Sequence, residues 1–105
     1  MGNEVLYETK GRIAIITLNR PEKLNALDRS VYEGLATAWR RLESSQDRVA
    51  VLTGAGRAFS AGAVLVEAGK NFLPSVPGVD IPVTKPVVCA VHGLCAGGAL
   101  APVPF

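Results

Sequence analysis

Polar and apolar positions along "EVLYET" (Glu4 to Thr9) read as an alternating strand, and after Gly11 the run "RIAIITLN" (Arg12 to Asn19) is β-branched and strand-like. Two strand-like runs on either side of a glycine predict a hairpin turning around Lys10 and Gly11. Asn19, Arg20 and Pro21 end the second strand, since proline has no N–H to give a ladder. The period then changes: Val31, Leu35, Ala38 and Leu42 recur at helical spacing, with Asp28 placed as the N-cap. Leu27 and Tyr32 stand where a hydrophobic staple would close over that cap. Gly34 weakens the helix by about 1 kcal/mol relative to alanine. Tyr32 and Trp39 belong to its packed face, and Arg40 and Arg41 to its solvated one.

Past "SSQD" the run "RVAVLT" predicts a short, fully buried strand. A short helix is expected after Gly62. Asn71 to Pro86 reads as loop, punctuated by Pro74, Pro77, Pro82 and Pro86. "VVCAV" (Val87 to Val91) is a further strand, and His92 to Gly98 leads into another helix start. Strands separated by helical crossovers predict an α/β layered fold with parallel pairing. "GALAPVPF" puts Pro102 and Pro104 where the last helix should continue, each costing about 3 kcal/mol there. The chain therefore reads as cut short, or diverted, while a fold is still being built.

Composition narrows the classes. A chain of 105 residues is one domain, 1–105. With 49% hydrophobic and 19% charged residues, it falls among folded rather than disordered chains. A net charge of +2, scattered along the sequence, gives no footing for nucleic acid or an anionic membrane. No apolar run approaches the ~18–20 residues of a transmembrane helix, and Met1 opens on no signal peptide. Two cysteines make no disulfide framework, so a reducing, cytoplasmic setting is expected.

The candidate chemistry sits in two glycine-rich breaks, "VLTGAGRAFSAGA" and "HGLCAGGAL", each following an apolar strand. In the first, Gly54 and Gly56 match the opening of a dinucleotide fingerprint, but Phe59 stands where its third glycine belongs. A Walker loop would need a Gly-Lys-Ser/Thr ending that is absent. Two parallel strands ending in loops of small residues suit a different task. One backbone N–H from each loop can converge on a single oxygen, which is the geometry of an oxyanion hole. A helix beginning at Gly97 and Gly98 would add its positive end.

Three segments, "ITLNRPEKLNALD", "VAVLTGAGRAFSAGA" and "KPVVCAVHGLCAGG", resemble in that order the crotonase superfamily, the enoyl-CoA hydratases and isomerases. The resemblance covers nearly the whole chain up to Gly98. It implies a spiral of strand–strand–helix units, incomplete here because the C-terminal half is absent. It implies that the N–H groups of Ala63 and Gly98 polarise an acyl-CoA thioester carbonyl, as in hydration of a 2-enoyl-CoA during fatty-acid breakdown. CoA would lie against Glu22, Lys23, Leu24 and Ala26 and against Ala61, Gly62, Val64, Leu65 and Val66. Arg20 or Lys23 is placed to meet its phosphates, although a solvated loop charge explains either. CoA enters as part of the substrate, with no separate cofactor. Family members assemble as trimers or pairs of trimers, so a homo-oligomer is expected.

The departures are as specific. Val64 replaces the aspartate that usually follows "SAGA", and Ala99 the third glycine of "GGG". Ala101 stands where hydratases carry one catalytic glutamate, and the second lies beyond Phe105. Glu67 is a surface carboxylate rather than a substitute. Hydration needs a base for water and an acid for the α-carbon. The expectation divides accordingly between an acyl-CoA hydratase or isomerase and an inactive fragment serving as a binding or assembly module. Cys89, His92 and Cys95 supply only three ligands where structural zinc takes four, and a Cys–His nucleophile pair lacks an orienting third group.

Overall fold

The computed structural model describes residues 4–60 and 83–95. β1 (Val5–Lys10) and β2 (Ile13–Leu18) form an antiparallel hairpin with Lys10 opposite Ile13. Its two-residue turn is Gly11–Arg12 rather than Lys10–Gly11, and both residues have positive φ (54° and 67°). That pair of angles gives the turn whose twist matches the flanking strands.

A 3-10 turn, Pro21–Lys23, follows, and then α1 (Arg29–Ser44). The Val31 N–H donates to the Asp28 side chain at 3.1 Å, so the expected cap is present. Leu27 and Tyr32 are both buried, as a staple requires. The helix buries Val31, Tyr32, Leu35, Ala36, Ala38, Trp39 and Leu42 on one face. At its other end the Lys85 ammonium donates to the carbonyls of Leu42 and Ser45 at 2.7 and 2.9 Å. A cation thus sits on the negative helix terminus.

β3 (Val49–Gly54) and β5 (Val87–Cys89) extend the first sheet in the order β1-β2-β3-β5. The β2–β3 and β3–β5 pairs are parallel. Ala14, Ile16, Leu18, Ala50 and Leu52 are buried in one core with the α1 residues. The strand read as fully buried alternates instead: Ala50, Leu52 and Gly54 are buried, while Val49, Val51 and Thr53 are half-buried. Among the described residues only one face of this sheet is covered. Ile13 and Val88 on the other face are 40% and 55% exposed. An apolar run does not reveal by itself whether one face or both are covered.

The fifth strand stops at Cys89, short of the expected Val91, and Cys89 is half-buried. Val83 to Pro86 carry no regular structure, as expected of a proline-punctuated loop. Two further strands lie outside the sequence expectation: β4 (Ala58–Ser60) and β6 (Leu94–Cys95), paired in parallel as a second sheet. Leu94 and Cys95, expected to lead into a helix, are therefore extended. The short helix after Gly62 and the helix start at Gly97 and Gly98 lie outside the described residues.

Candidate functional site

Three backbone segments meet around one buried side chain, that of Asn25. Leu24 and Asn25 both adopt left-handed backbone (φ 51° and 54°). Asparagine tolerates that conformation, but leucine pays ~1–2 kcal/mol for it. The surroundings hold both in place. The Asn25 Oδ1 accepts from the Arg20 N–H at 2.7 Å, and its Nδ2 donates to the carbonyls of Ala55 and Ala58, each at 2.9 Å. Its backbone carbonyl accepts from the Ser60 hydroxyl at 2.6 Å, and its N–H donates to the Arg20 carbonyl at 2.9 Å. Asn25 and Ser60 are 1% and 0% exposed. One amide thus ties the Arg20–Asp28 loop to the β3–β4 turn and to the start of β4.

The glycines of the first break serve this packing. A Cβ on Gly54 would stand 2.5 Å from the Phe59 carbonyl oxygen and 2.9 Å from the Asn25 Nδ2. A Cβ on Gly56 would meet Pro21 at 2.8 Å. Bare backbone is needed there to let protein approach protein.

The second break arrives beside the first. Gly93 has φ 59°, and a Cβ on it would collide with the Arg57 carbonyl oxygen. Only glycine lets β6 come that close. The Phe59 N–H donates to the His92 carbonyl at 2.9 Å, and the exposed His92 ring donates to the Gly56 carbonyl at 2.9 Å. In the parallel pair, Ala58 lies opposite Leu94 and Ser60 opposite Cys95. Ser60 and Cys95 each precede a candidate oxyanion residue, Ala63 or Gly98, by three positions.

The predicted site residues divide into two groups. Glu22 and Lys23 are exposed on the 3-10 turn, and Leu24 and Ala26 are half-buried beside Asn25. Arg20 forms a salt bridge with Asp28, which explains its charge structurally. Ala61, Gly62, Ala63, Val64, Leu65, Val66 and Gly98 lie outside the described residues, as do Glu67, Ala99 and Ala101. No three His, Cys, Asp or Glu side chains gather to hold a metal among the described residues. None of their helices is long and apolar enough to cross a membrane.

A second polar cluster lies at the far end of α1. Tyr7 and Thr9 hydroxyls donate to the Asp47 carboxylate at 2.6 and 3.0 Å. The Tyr7 bond is the main cause holding that carboxyl below its usual range. Desolvation, and then this bond, push the Tyr7 phenol up. Arg41 lies 4.2 Å over the Tyr7 ring. Glu43 accepts from the Thr84 N–H and hydroxyl at 3.0 and 2.8 Å, which lowers its carboxyl too.

Comparison with known proteins agrees with the architecture. A family model described as enoyl-CoA hydratase/isomerase matches residues 8–77. The chain belongs to the enoyl-CoA hydratase/isomerase family. It is 34% identical over 100 residues to a probable mitochondrial enoyl-CoA hydratase of Dictyostelium discoideum, covering 87% of this chain and 36% of that protein. A 1,2-epoxyphenylacetyl-CoA isomerase of Escherichia coli is 33% identical over 110 residues, covering 89% and 41%. Among solved structures, a probable enoyl-CoA hydratase/isomerase from Mycobacterium abscessus superposes with a TM-score of 0.80 at 38% identity, covering 96% of this chain and 42% of that one. The crotonase resemblance therefore holds for sequence and fold alike, and the structure is a partial, N-terminal crotonase fold. The chain spans about two-fifths of the length of these relatives.

The residue that sequence reading missed is Asn25. Its one signal is a polar side chain between Leu24 and Ala26, in a segment otherwise assigned to ligand contact. β4 and β6 escaped because strands of three and two residues carry no readable period.

Proposed function

We propose that this chain binds a CoA thioester and stabilises negative charge on its carbonyl oxygen through the backbone N–H groups of Ala63 and Gly98. The observation that carries this reading is the parallel pairing of Ser60 with Cys95. The two strands that precede the glycine-rich segments thus end side by side at one edge of a small sheet. Neighbouring strands lie about 4.8 Å apart, and three residues reach at most ~10 Å, so the chain is long enough for two amides three positions further on to meet at one oxygen.

CoA lies against Glu22, Lys23, Leu24 and Ala26 on the loop beside that sheet, with Ala61, Gly62, Val64, Leu65 and Val66 completing the contact. Lys23, exposed on the 3-10 turn, faces the phosphates, and CoA enters as part of the substrate with no separate cofactor. An enolate formed next to the thioester carbonyl would be stabilised by two preorganised donors, a contribution typically worth ~3–4 kcal/mol for one such donor in known enzymes. The chemistry is that of a hydratase or isomerase of the family, and the protomers associate as a homo-oligomer.

Ala101 favours a second reading. A methyl group at the glutamate position neither activates water nor protonates carbon. The chain would then hold acyl-CoA as a binding or assembly module without turning it over.

Thermal unfolding with crotonyl-CoA tests binding. At 100 times the dissociation constant the ligand should add about 2.7 kcal/mol of stability. An unmoved midpoint at saturating ligand would remove the acyl-CoA reading. Crotonyl-CoA consumption above the buffer rate then separates the enzyme from the binding module.

A further inference from the structure

We propose that the open face of the four-stranded sheet is a self-association surface, occupied by a second copy of this chain related by a two-fold axis. This rests on the homo-oligomer reading above and names the face that carries it. It does not depend on the oxyanion site.

Alternation assigns the side chains. Ala14, Ile16, Ala50 and Leu52 are buried in the core with α1, and Val5, Tyr7, Val87 and Cys89 pack against that core from β1 and β5. The residues between them in each strand point the other way. Strand register sorts those into two neighbouring rows: Glu8, Ile15, Val51 and Val88, then Lys10, Ile13 and Val49. All but the two charged residues are β-branched and apolar. Ile13 and Val88 are 40% and 55% exposed. A contiguous apolar patch rimmed by charge marks an interaction surface.

The described chain gives this face no cover of its own. Phe59 of β4 belongs to the α1 core, and Val83, ahead of β5, packs against the same core. β6 lies beside β4.

The order of the charges selects a second copy as the occupant. Glu8 and Lys10 are both exposed, on the same edge strand, and neither has an ion pair among the described residues. Consider a two-fold axis between stacked sheets, running across the strands and midway between the two rows. It lays each row over the other row of the partner. Glu8 then faces the partner's Lys10, Ile15 the partner's Ile13, and Val51 the partner's Val49. Opposite charges and apolar pairs coincide under one operation, which is the self-complementarity an isologous interface requires. Sheets stacked in this way pack about 10 Å apart, close enough for the two rows to interdigitate.

Sedimentation velocity of the 105-residue chain, from micromolar concentration upward, tests this. It compares the parent with Ile13→Lys, Glu8→Lys and the exchange Glu8→Lys/Lys10→Glu, each checked for native circular dichroism. The parent should dimerise. Ile13→Lys sets a charge against an apolar residue twice per dimer, so the dissociation constant should rise about a hundredfold, tenfold for each copy. Glu8→Lys sets like charges face to face and should raise it about tenfold, and the exchange should bring it back to within about threefold of the parent. Where Ile13→Lys does not hold the fold, the charge exchange decides alone. A parent assembly that Ile13→Lys leaves intact, or an exchange no better than Glu8→Lys, overturns this face as the interface while the homo-oligomer reading stands. A parent that stays monomeric throughout, whatever covers the face, overturns both.

Discussion

In a Gly54→Ala variant the new Cβ would stand 2.5 Å from the Phe59 carbonyl oxygen, 2.8 Å from that of Ala58 and 2.9 Å from the Asn25 Nδ2. None of the three can step aside cheaply. Phe59 and Ala58 are backbone of β4, whose neighbour β6 is held against it through Gly93. Nδ2 is fixed by its bonds to Ala55 and Ala58. Overpacking a tight site costs ~1–3 kcal/mol. Displacing the Asn25 amide adds ~1–3 kcal/mol, because buried donors and acceptors are then left unpaired. Alanine returns ~0.4–1 kcal/mol by stiffening the unfolded chain. The net loss is about 1–5 kcal/mol, centred near 3, a large share of the ~5–15 kcal/mol that holds a typical domain together. Trp39 is the sole tryptophan and fully buried, so its fluorescence reports unfolding in urea. The variant should be less stable by that amount in a urea titration, and a loss of about 3 kcal/mol lowers the melting point by roughly 12–24 °C. A stability within about 0.5 kcal/mol of the parent, the scale of an ordinary surface change, would refute the view that this glycine makes room for the Asn25 clamp.

Gly34→Ala is a weaker case of the same logic. Its Cβ would meet the Val5 Cγ2 at 2.8 Å. The gain of ~1 kcal/mol in helix propensity should therefore be cancelled, and Val5→Ala in the same chain should release it. Denaturant midpoints of the two single variants and the double variant measure this. Asp28→Ala removes both the N-cap and the partner of Arg20. It should cost about 1–2 kcal/mol by the same titration. Asp47 has a folded-state pKa below its unfolded value, so the unfolded chain binds the proton more readily. Its stabilisation is present above pH ~4 and is lost as pH falls through the lower, folded value. Asp47→Asn should therefore flatten that part of the acid limb of a stability-against-pH curve, and an unchanged limb would contradict the Tyr7–Asp47 assignment.

Long elements were legible because their periods run over many residues. The α1 face is written in Val31, Leu35, Ala38 and Leu42, and its start in Asp28. The hairpin was legible to within one residue, since alternation marks strands more firmly than it marks the turn between them. The parallel order followed from the crossovers. What stayed hidden was non-local. β4 and β6 are too short to show alternation, and each exists because the other lies alongside it. Asn25 reads as a loop polar residue until the chain folds three carbonyls and an amide around it. The motif residues Ala63 and Gly98 lie outside the described residues, and the Asn25 clamp had no linear signature. The exposed face around Val88 was equally unreadable, because apolarity alone does not say what covers it.

The proposed polarisation of a thioester oxygen by two backbone amides is reported directly by the bound carbonyl. Isotope-edited difference infrared spectroscopy of crotonyl-CoA labelled at C1 isolates that carbonyl stretch on this chain. A stretch moved to lower frequency on binding is the predicted result. A bound ligand whose carbonyl absorbs where it does in water would contradict the account.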